Sequence, residues 1–245
     1  MRWGSACLAS LVALSAIALG ACQSSQQKSA ELEKSGHNAI AKEKGLQITA
    51  VNKQVKVLDT TTLTDKNGSA VVVTLKNESS QGLINTPIAI DVQDAKGKSV
   101  FKNNDPGMEA SLIGVPLMQA GQTVDWVNDQ VLAAGTPKSV KVQVGSTNDT
   151  LSSSVPELDV SQPKLKTDPY SGTEAAGTVT NKSGIDQTRV TLFAVARKGG
   201  KVVAAGRGGI KRLPADGKPT EYHIYFIGDP RGADVTVTAP PTVFN

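Results

Sequence analysis

Thr74-Leu75-Lys76-Asn77-Glu78-Ser79 returns later in the chain as Thr178-Val179-Thr180-Asn181-Lys182-Ser183. Four more correspondences lie in the same order. Ile88-x-Ile90 matches Val190-x-Leu192, and Gly97-Lys98-x-Val100 matches Gly200-Lys201-x-Val203. Gly121-Gln122-Thr123-Val124-Asp125-Trp126 matches Gly217-Lys218-Pro219-Thr220-Glu221-Tyr222, and Gly135-x-Pro137-Lys138 matches Gly228-x-Pro230-Arg231. Each block alone is weak, but five in one order define an internal repeat.

The blocks have the chemistry of strand ends and turns. Asn followed by Ser suits a strand entering a turn, Gly-Lys-x-Val a hairpin feeding a strand, and Gly-x-Pro a loop before a final strand. Between them lie short runs rich in β-branched residues, such as Ala70–Leu75, Ile88–Val92, Val140–Val144, Arg189–Val195 and Asp234–Val237. Asn67-Gly68, Lys96-Gly97 and Gly199-Gly200 are hairpin-type breaks. No long helical period appears. The spacing predicts an all-β chain of tandem immunoglobulin-like antiparallel sandwiches, at 46–146 and 156–245, with 147–155 as linker. Trp126 and Tyr222 are the large core anchors of the two copies. The texture of both halves resembles the FxLYD and CARDB-type modules of bacterial surface proteins. The Phe-x-Leu-Tyr-Asp signature is replaced by Ile90–Asp94 in one copy and Leu192–Ala196 in the other.

The start of the chain has a different composition. Met1-Arg2 is a short positive opening, Leu8 to Leu19 is apolar apart from Ser10 and Ser15, and Leu19-Gly20-Ala21-Cys22 closes the run. That order is a secretory signal peptide over 1–21, too short to span a bilayer comfortably. The last four residues resemble the bacterial lipobox at every position. The resemblance implies cleavage between Ala21 and Cys22, and thioether-linked diacylglycerol on Cys22. Residues 22–45, rich in Gln, Ser, Lys and Glu, read as a lipidated tether. The expected location is a cell membrane or outer membrane, on the exported side. Cys7 and Cys22 are the two cysteines, so neither remains for a disulfide in the mature body.

Catalytic constellations are thin. His223 is the one histidine beyond the tether, on a predicted strand whose alternation turns it to the polar side. Without cysteine, that leaves too few ligands for a thiolate or imidazole zinc site. No Gly-x-Ser-x-Gly elbow accompanies His223. Asp125 and Asp129 with Asn128 do not have calcium-loop spacing and read as solvated carboxylates. Gly206-Arg207-Gly208-Gly209 fits no phosphate-binding pattern. No metal, cofactor or catalytic residue is expected.

Two features stand out as candidate surfaces. Phe101–Ala120 is longer than its counterpart and holds Met108, Leu112, Ile113, Val115, Leu117 and Met118. An extra core-facing strand is favoured over a sticky loop. The net charge is only +4, but Arg197, Lys198, Lys201, Arg207, Lys211 and Arg212 follow one another without an acid. They are the candidate patch for an anionic lipid or cell-wall polymer. Without interleaved aromatics the run argues against nucleic acid. The expected role is a membrane-anchored envelope lipoprotein acting as a non-enzymatic binding or spacer module, with envelope proteins among its partners. The alternative is a carrier of a lipid or other small apolar ligand in a cleft between sheets or domains.

Overall fold

Asn77 and Asn181 end two equivalent strands and make the same bonds in each. In the computed structural model, which describes residues 45–151 and 154–244, the Asn77 Oδ1 accepts from Ser79 N at 3.0 Å and Ser79 Oγ at 2.7 Å. Asn181 Oδ1 accepts from Ser183 N and Oγ at the same two distances. Each amide nitrogen donates across the sandwich, from Asn77 to the Met118 carbonyl and from Asn181 to that of Leu213. Both asparagines are buried. The repeated block therefore fastens a strand end to the opposite sheet, which is why it recurs.

The chain is all-β, built from antiparallel sheets. The first half contains β1 (Val55–Asp65), β2 (Gly68–Asn77), β3 (Leu83–Gln93), β4 (Ser99–Lys102), the four-residue helix α1 (Ala110–Ile113), β5 (Gly114–Met118), β6 (Thr123–Asn128) and β7 (Ser139–Val144). One sheet runs β1-β2-β6, and in the other β3 is flanked by β4 and β5 on one side and β7 on the other. The second half contains β8 (Leu158–Val160), β9 (Lys164–Asp168), β10 (Gly172–Asn181), β11 (Gln187–Lys198), β12 (Lys201–Leu213), β13 (Pro219–Tyr225), β14 (Ile227–Gly228) and β15 (Asp234–Thr238). Its sheets are β13-β10 with β8 and β9, and β14-β12-β11-β15.

The halves share one compact unit. Strand β11 shows why. Its even positions Val190, Leu192, Ala194 and Ala196 join the core of the second sandwich. Its odd positions Phe193 and Val195 join the hydrophobic cluster of the first half. Side chains alternate across a strand, so both faces of this sheet are covered. In β2, Val73 lies opposite Trp126 and Val72 opposite Val127, all four buried. The strands β1, β2 and β6 contact β12, and β6 also contacts β11. The result is four stacked sheets, with the outer face of β1-β2-β6 on the outer face of β12-β11. Each fully buried Val or Phe at this seam is worth about 1.5–3 kcal/mol over an exposed one.

The ladder corrects two of the sequence correspondences. Leu83 pairs with Met118 and Gln187 with Leu213, and among the described residues the left-handed non-glycine positions are Asn85 and Arg189. Ile88 is therefore equivalent to Leu192 rather than Val190. Ile90 pairs with Val142 and Ala194 with Val237, so the Gly135 and Gly228 blocks are also two residues out of register. A slip of two keeps every side chain on the same face, so apolar alternation cannot detect it. The stretch read as a linker is also partly fixed. Ile84 N donates to the Asp149 carbonyl and Leu151 N to that of Gly82, so 147–151 runs along the start of β3.

Candidate functional site

The seam between the halves is clasped by two arginines of the candidate cationic patch. Arg197, at the end of β11, donates from both terminal nitrogens to Asp125 of β6, each at 2.8 Å. Thr74 Oγ1 donates to the same carboxylate at 2.7 Å. The bond to Asp125 raises the Arg197 guanidinium above its ordinary value, against the opposing effect of burial. Arg207 of β12 donates from its backbone N to Asp129 Oδ2 at 2.9 Å and from Nε to Asp129 Oδ1 at 3.0 Å. Its terminal nitrogens reach Ser111 Oγ and Glu109. The Arg207 side chain is only 7% exposed. Such bidentate pairs are strong and directional. Asp125 and Asp129 are thus clasp residues rather than solvated loop carboxylates.

The six cations do not form one face. Arg197 and Arg207 are turned into the seam. Lys198 and Lys201 flank the β11–β12 turn, while Lys211 and Arg212 lie at the far end of β12. At about 3.3 Å per residue, ten residues of strand separate Lys201 from Lys211 by about 33 Å. Arg212 is bonded to Asp186 at 2.8 Å. The glycines around Arg207 have a packing cause. A Cβ at Gly206 would stand 2.1 Å from the Tyr225 carbonyl oxygen, and one at Gly208 would stand 2.7 Å from Ile224 Cγ1. Small residues let β12 press against β13 on one side while Arg207 points to the other half.

The longer segment of the first half completes the clasp. It places Leu112, Val115, Leu117 and Met118 in the interior, but not as the extra strand expected. Val115, Leu117 and Met118 are on β5, which matches the end of β12, Leu112 is on α1, and Met108 and Ile113 are half-buried. Asn103 occupies the gap between β4 and β5. Its Oδ1 accepts from Ile90 N at 2.7 Å, and its Nδ2 donates to the carbonyls of Ile88 and Leu112 at 2.9 and 2.7 Å. Trp126, fully buried, donates from Nε1 to the Ser111 carbonyl at 2.8 Å. One tripeptide, Glu109 to Ser111, therefore touches both the core tryptophan and the second-half arginine.

Two open grooves border this seam. The smaller, about 530 Å³, lies between the longer segment and the start of β11, with Asn85, Ser111, Ile113, Pro116, Arg189 and Thr191 among its walls. The larger, about 730 Å³, runs between β5–β6 and β15, with Val115, Leu117, Val124, Phe193 and Pro240 among its walls. His223 is on the exposed face of β13, with Nδ1 3.2 Å from Glu174 Oε2, as the strand alternation predicts. Ala21 and Cys22 lie outside the described residues.

The continuous apolar runs at Ala70–Val73 and Leu192–Ala196 were a legible signal of the seam, because a strand covered on both faces loses its polar alternation. Nothing in the sequence pairs Arg197 with Asp125 or Arg207 with Asp129. Among the described residues no group of three or more His, Cys, Asp or Glu side chains could hold a metal ion, and no helix is long and apolar enough to cross a membrane. Fold and seam define a class: a two-repeat, four-layer β-sandwich protein with grooves between the repeats. No family model, curated protein or solved structure matches the chain.

Proposed function

We propose that this chain is a lipid-anchored envelope protein whose β body is a rigid, non-enzymatic binding module. The observation that carries the reading is the clasped seam. Two repeats locked by a shared apolar cluster and two bidentate arginine pairs present grooves of fixed shape, and preorganised surfaces lose less entropy on binding. Cys22, as the lipid-bearing residue, would hold that body at the membrane surface. Each buried methylene of its acyl chains contributes about 0.8 kcal/mol, and more than one chain makes release rare.

The test is a pull-down from membranes with the native anchor intact, beside the Cys22→Ser chain. The native protein is expected in the membrane fraction, with a fatty-acid probe attached and envelope components bound. Cys22→Ser should release it and abolish labelling; labelling that persists would end the lipoprotein reading. A carrier role is the second reading, favoured by the size and the partly apolar wall of the larger groove. Native mass spectrometry of the purified protein would detect a co-purified lipid if that reading holds.

A further inference from the structure

We propose that the smaller groove binds an amphipathic anion, one acidic headgroup on an apolar chain, with Arg189 as its anchor. This deepens the binding-module reading by naming a ligand class, and it rests on that reading.

Five arginines lie in the described residues. Four are bonded to carboxylates: Arg197 to Asp125, Arg207 to Asp129 and Glu109, Arg212 to Asp186, and Arg231 to Asp229. The Arg189 side chain makes no ion pair or hydrogen bond among the described residues; the residue is exposed and lines the groove. Its backbone is also in the left-handed region, with φ 52°. A residue with a Cβ is disfavoured there, and glycine or asparagine would sit more easily. The equivalent position in the first half obeys that rule: it holds Asn85, at φ 49°, in the wall of the same groove. An arginine kept in a conformation that suits it poorly, its side chain without a partner among the described residues, is what a ligand contact would explain.

The surroundings define the ligand. Lys211 lies opposite Arg189 across the β11–β12 ladder, between the paired residues Ile210 and Arg212. Glu109 is in the groove wall, but one of its oxygens accepts from Ser111 Oγ and the other faces Arg207. Arg207 is shared between Asp129 and Glu109, but both Glu109 oxygens are engaged on the Ser111 and Arg207 side, so Arg189 is the charged donor of the wall without an ion pair among the described residues. Thr188 and Thr191 supply hydroxyls beside it, while Pro87, Ile113 and Pro116 form an apolar wall. A guanidinium recognises carboxylate or phosphate bidentately, and the apolar wall suits an acyl or alkyl chain.

The test is calorimetric titration of the full chain with octyl phosphate, octyl glucoside and inorganic phosphate. Octyl phosphate should bind at least about tenfold more tightly than either of the others, as expected for one charge-assisted contact beside an apolar one. Arg189→Asn and Arg189→Gly should lose that advantage while their melting temperatures stay level or rise, because the backbone is relieved. Arg189→Lys should retain most of the binding. Equal binding of octyl phosphate and octyl glucoside, or full binding by Arg189→Asn, would overturn the anchor while leaving a groove for neutral ligands. Inorganic phosphate binding as tightly as octyl phosphate would overturn the amphiphile. No binding of any probe would end this proposal without touching the membrane-fractionation test of the anchored module.

Discussion

The two halves use the same strand in two ways. In the second half β12 runs unbroken along β11 from Lys201 to Leu213. In the first half the equivalent strand is split, with β4 against one end of β3 and β5 against the other. Between the pieces are residues 103–113, where β12 has only 206–208. The first half has thus given up ladder bonds at the centre of β3 and gained a projecting segment. Asn103 repairs the loss by bonding β3's backbone with its side chain. The projection then supplies Glu109 and Ser111 to Arg207, which sits in the short stretch of β12 that the insertion replaces. The arm of one half and the arginine of the other thus meet across the seam.

The sharpest break in this comparison is at the tryptophan. Trp126 and Tyr222 are equivalent, opposite Val73 and Gly177 respectively. Only Trp126 is tied to the arm, through the Ser111 carbonyl. Trp126→Ala should cost about 3–5 kcal/mol in denaturant unfolding, the range for large buried aromatics. Tyr222→Phe should cost under about 1 kcal/mol, since its hydroxyl is 3.5 Å from the Ser161 carbonyl. A Trp126→Ala loss no larger than that of Tyr222→Phe would mean the arm does not depend on the tryptophan.

Next in size is the clasp. Asp129→Ala would leave the nearly buried Arg207 guanidinium with the Ser111 hydroxyl and one carboxylate, that of Glu109, 3.4 Å away and itself largely exposed. Removing one partner of a buried pair is costly because the other charge stays behind, and about 3 kcal/mol is expected. The same experiment with Arg207→Met should cost less, because no charge is stranded. If the two variants are equally stable, the clasp contributes only packing.

How these elements stood in the sequence is instructive. Asn77 and Asn181 announced the repeat because most of their bonds are local, to Ser79 and Gln81 or Ser183 and Ile185, and only the amide nitrogen reaches the facing sheet. Trp126 was placed in the core by the repeat together with strand alternation, and His223 on the exposed side by alternation. The seam was visible only as a loss of alternation around Val72 and Phe193. Its bonds join residues as far apart as Asp125 and Arg197, and a sequence shows the types of such residues without their partners. The acid-free run illustrates the limit: charges adjacent in sequence were divided by β12 between the seam, a hairpin turn and a distant strand end. Among the described residues the arginine without an ion pair is Arg189, which lies outside the run.

A smaller effect is expected at Asn103. It is wholly buried and satisfies three backbone groups. Asn103→Ala would leave Ile90 N without a partner inside the first sandwich, at a cost of about 2 kcal/mol. Hydrogen exchange should show Ile90 losing protection. The matching amide of the second half, Ala194, pairs with Val237 and lies on the unbroken ladder, so it should be unaffected. Faster exchange at both sites would point to global destabilisation instead of a local gap.

The smallest effect separates the loops before the last strand of each half. Gly135-Thr136-Pro137-Lys138 has no acid, whereas Gly228-Asp229-Pro230-Arg231 has one two residues from an arginine. Arg231 donates from Nε and Nη2 to the two Asp229 oxygens, at 2.8 and 2.7 Å, and from its backbone N at 3.1 Å. The side-chain bond, then the backbone bond, lower the Asp229 carboxyl to about 2 from its usual 3.8. A depressed carboxyl stabilises the fold at pH values above its unfolded value. That contribution is lost as pH falls from 3.8 towards 2 and the native carboxylate takes up its proton. Both side chains are well exposed, so water and salt screen the pair and the stability change should be slight. The titration itself is the better measurement. Carboxyl NMR of the native chain should put the Asp229 midpoint near 2, and Arg231→Gln should move it up towards the ordinary carboxylate range. The shift should shrink with added salt less than a purely coulombic one would, because hydrogen bonds are the first cause. An unperturbed midpoint in the native chain would show that the loop does not hold this pair in solution.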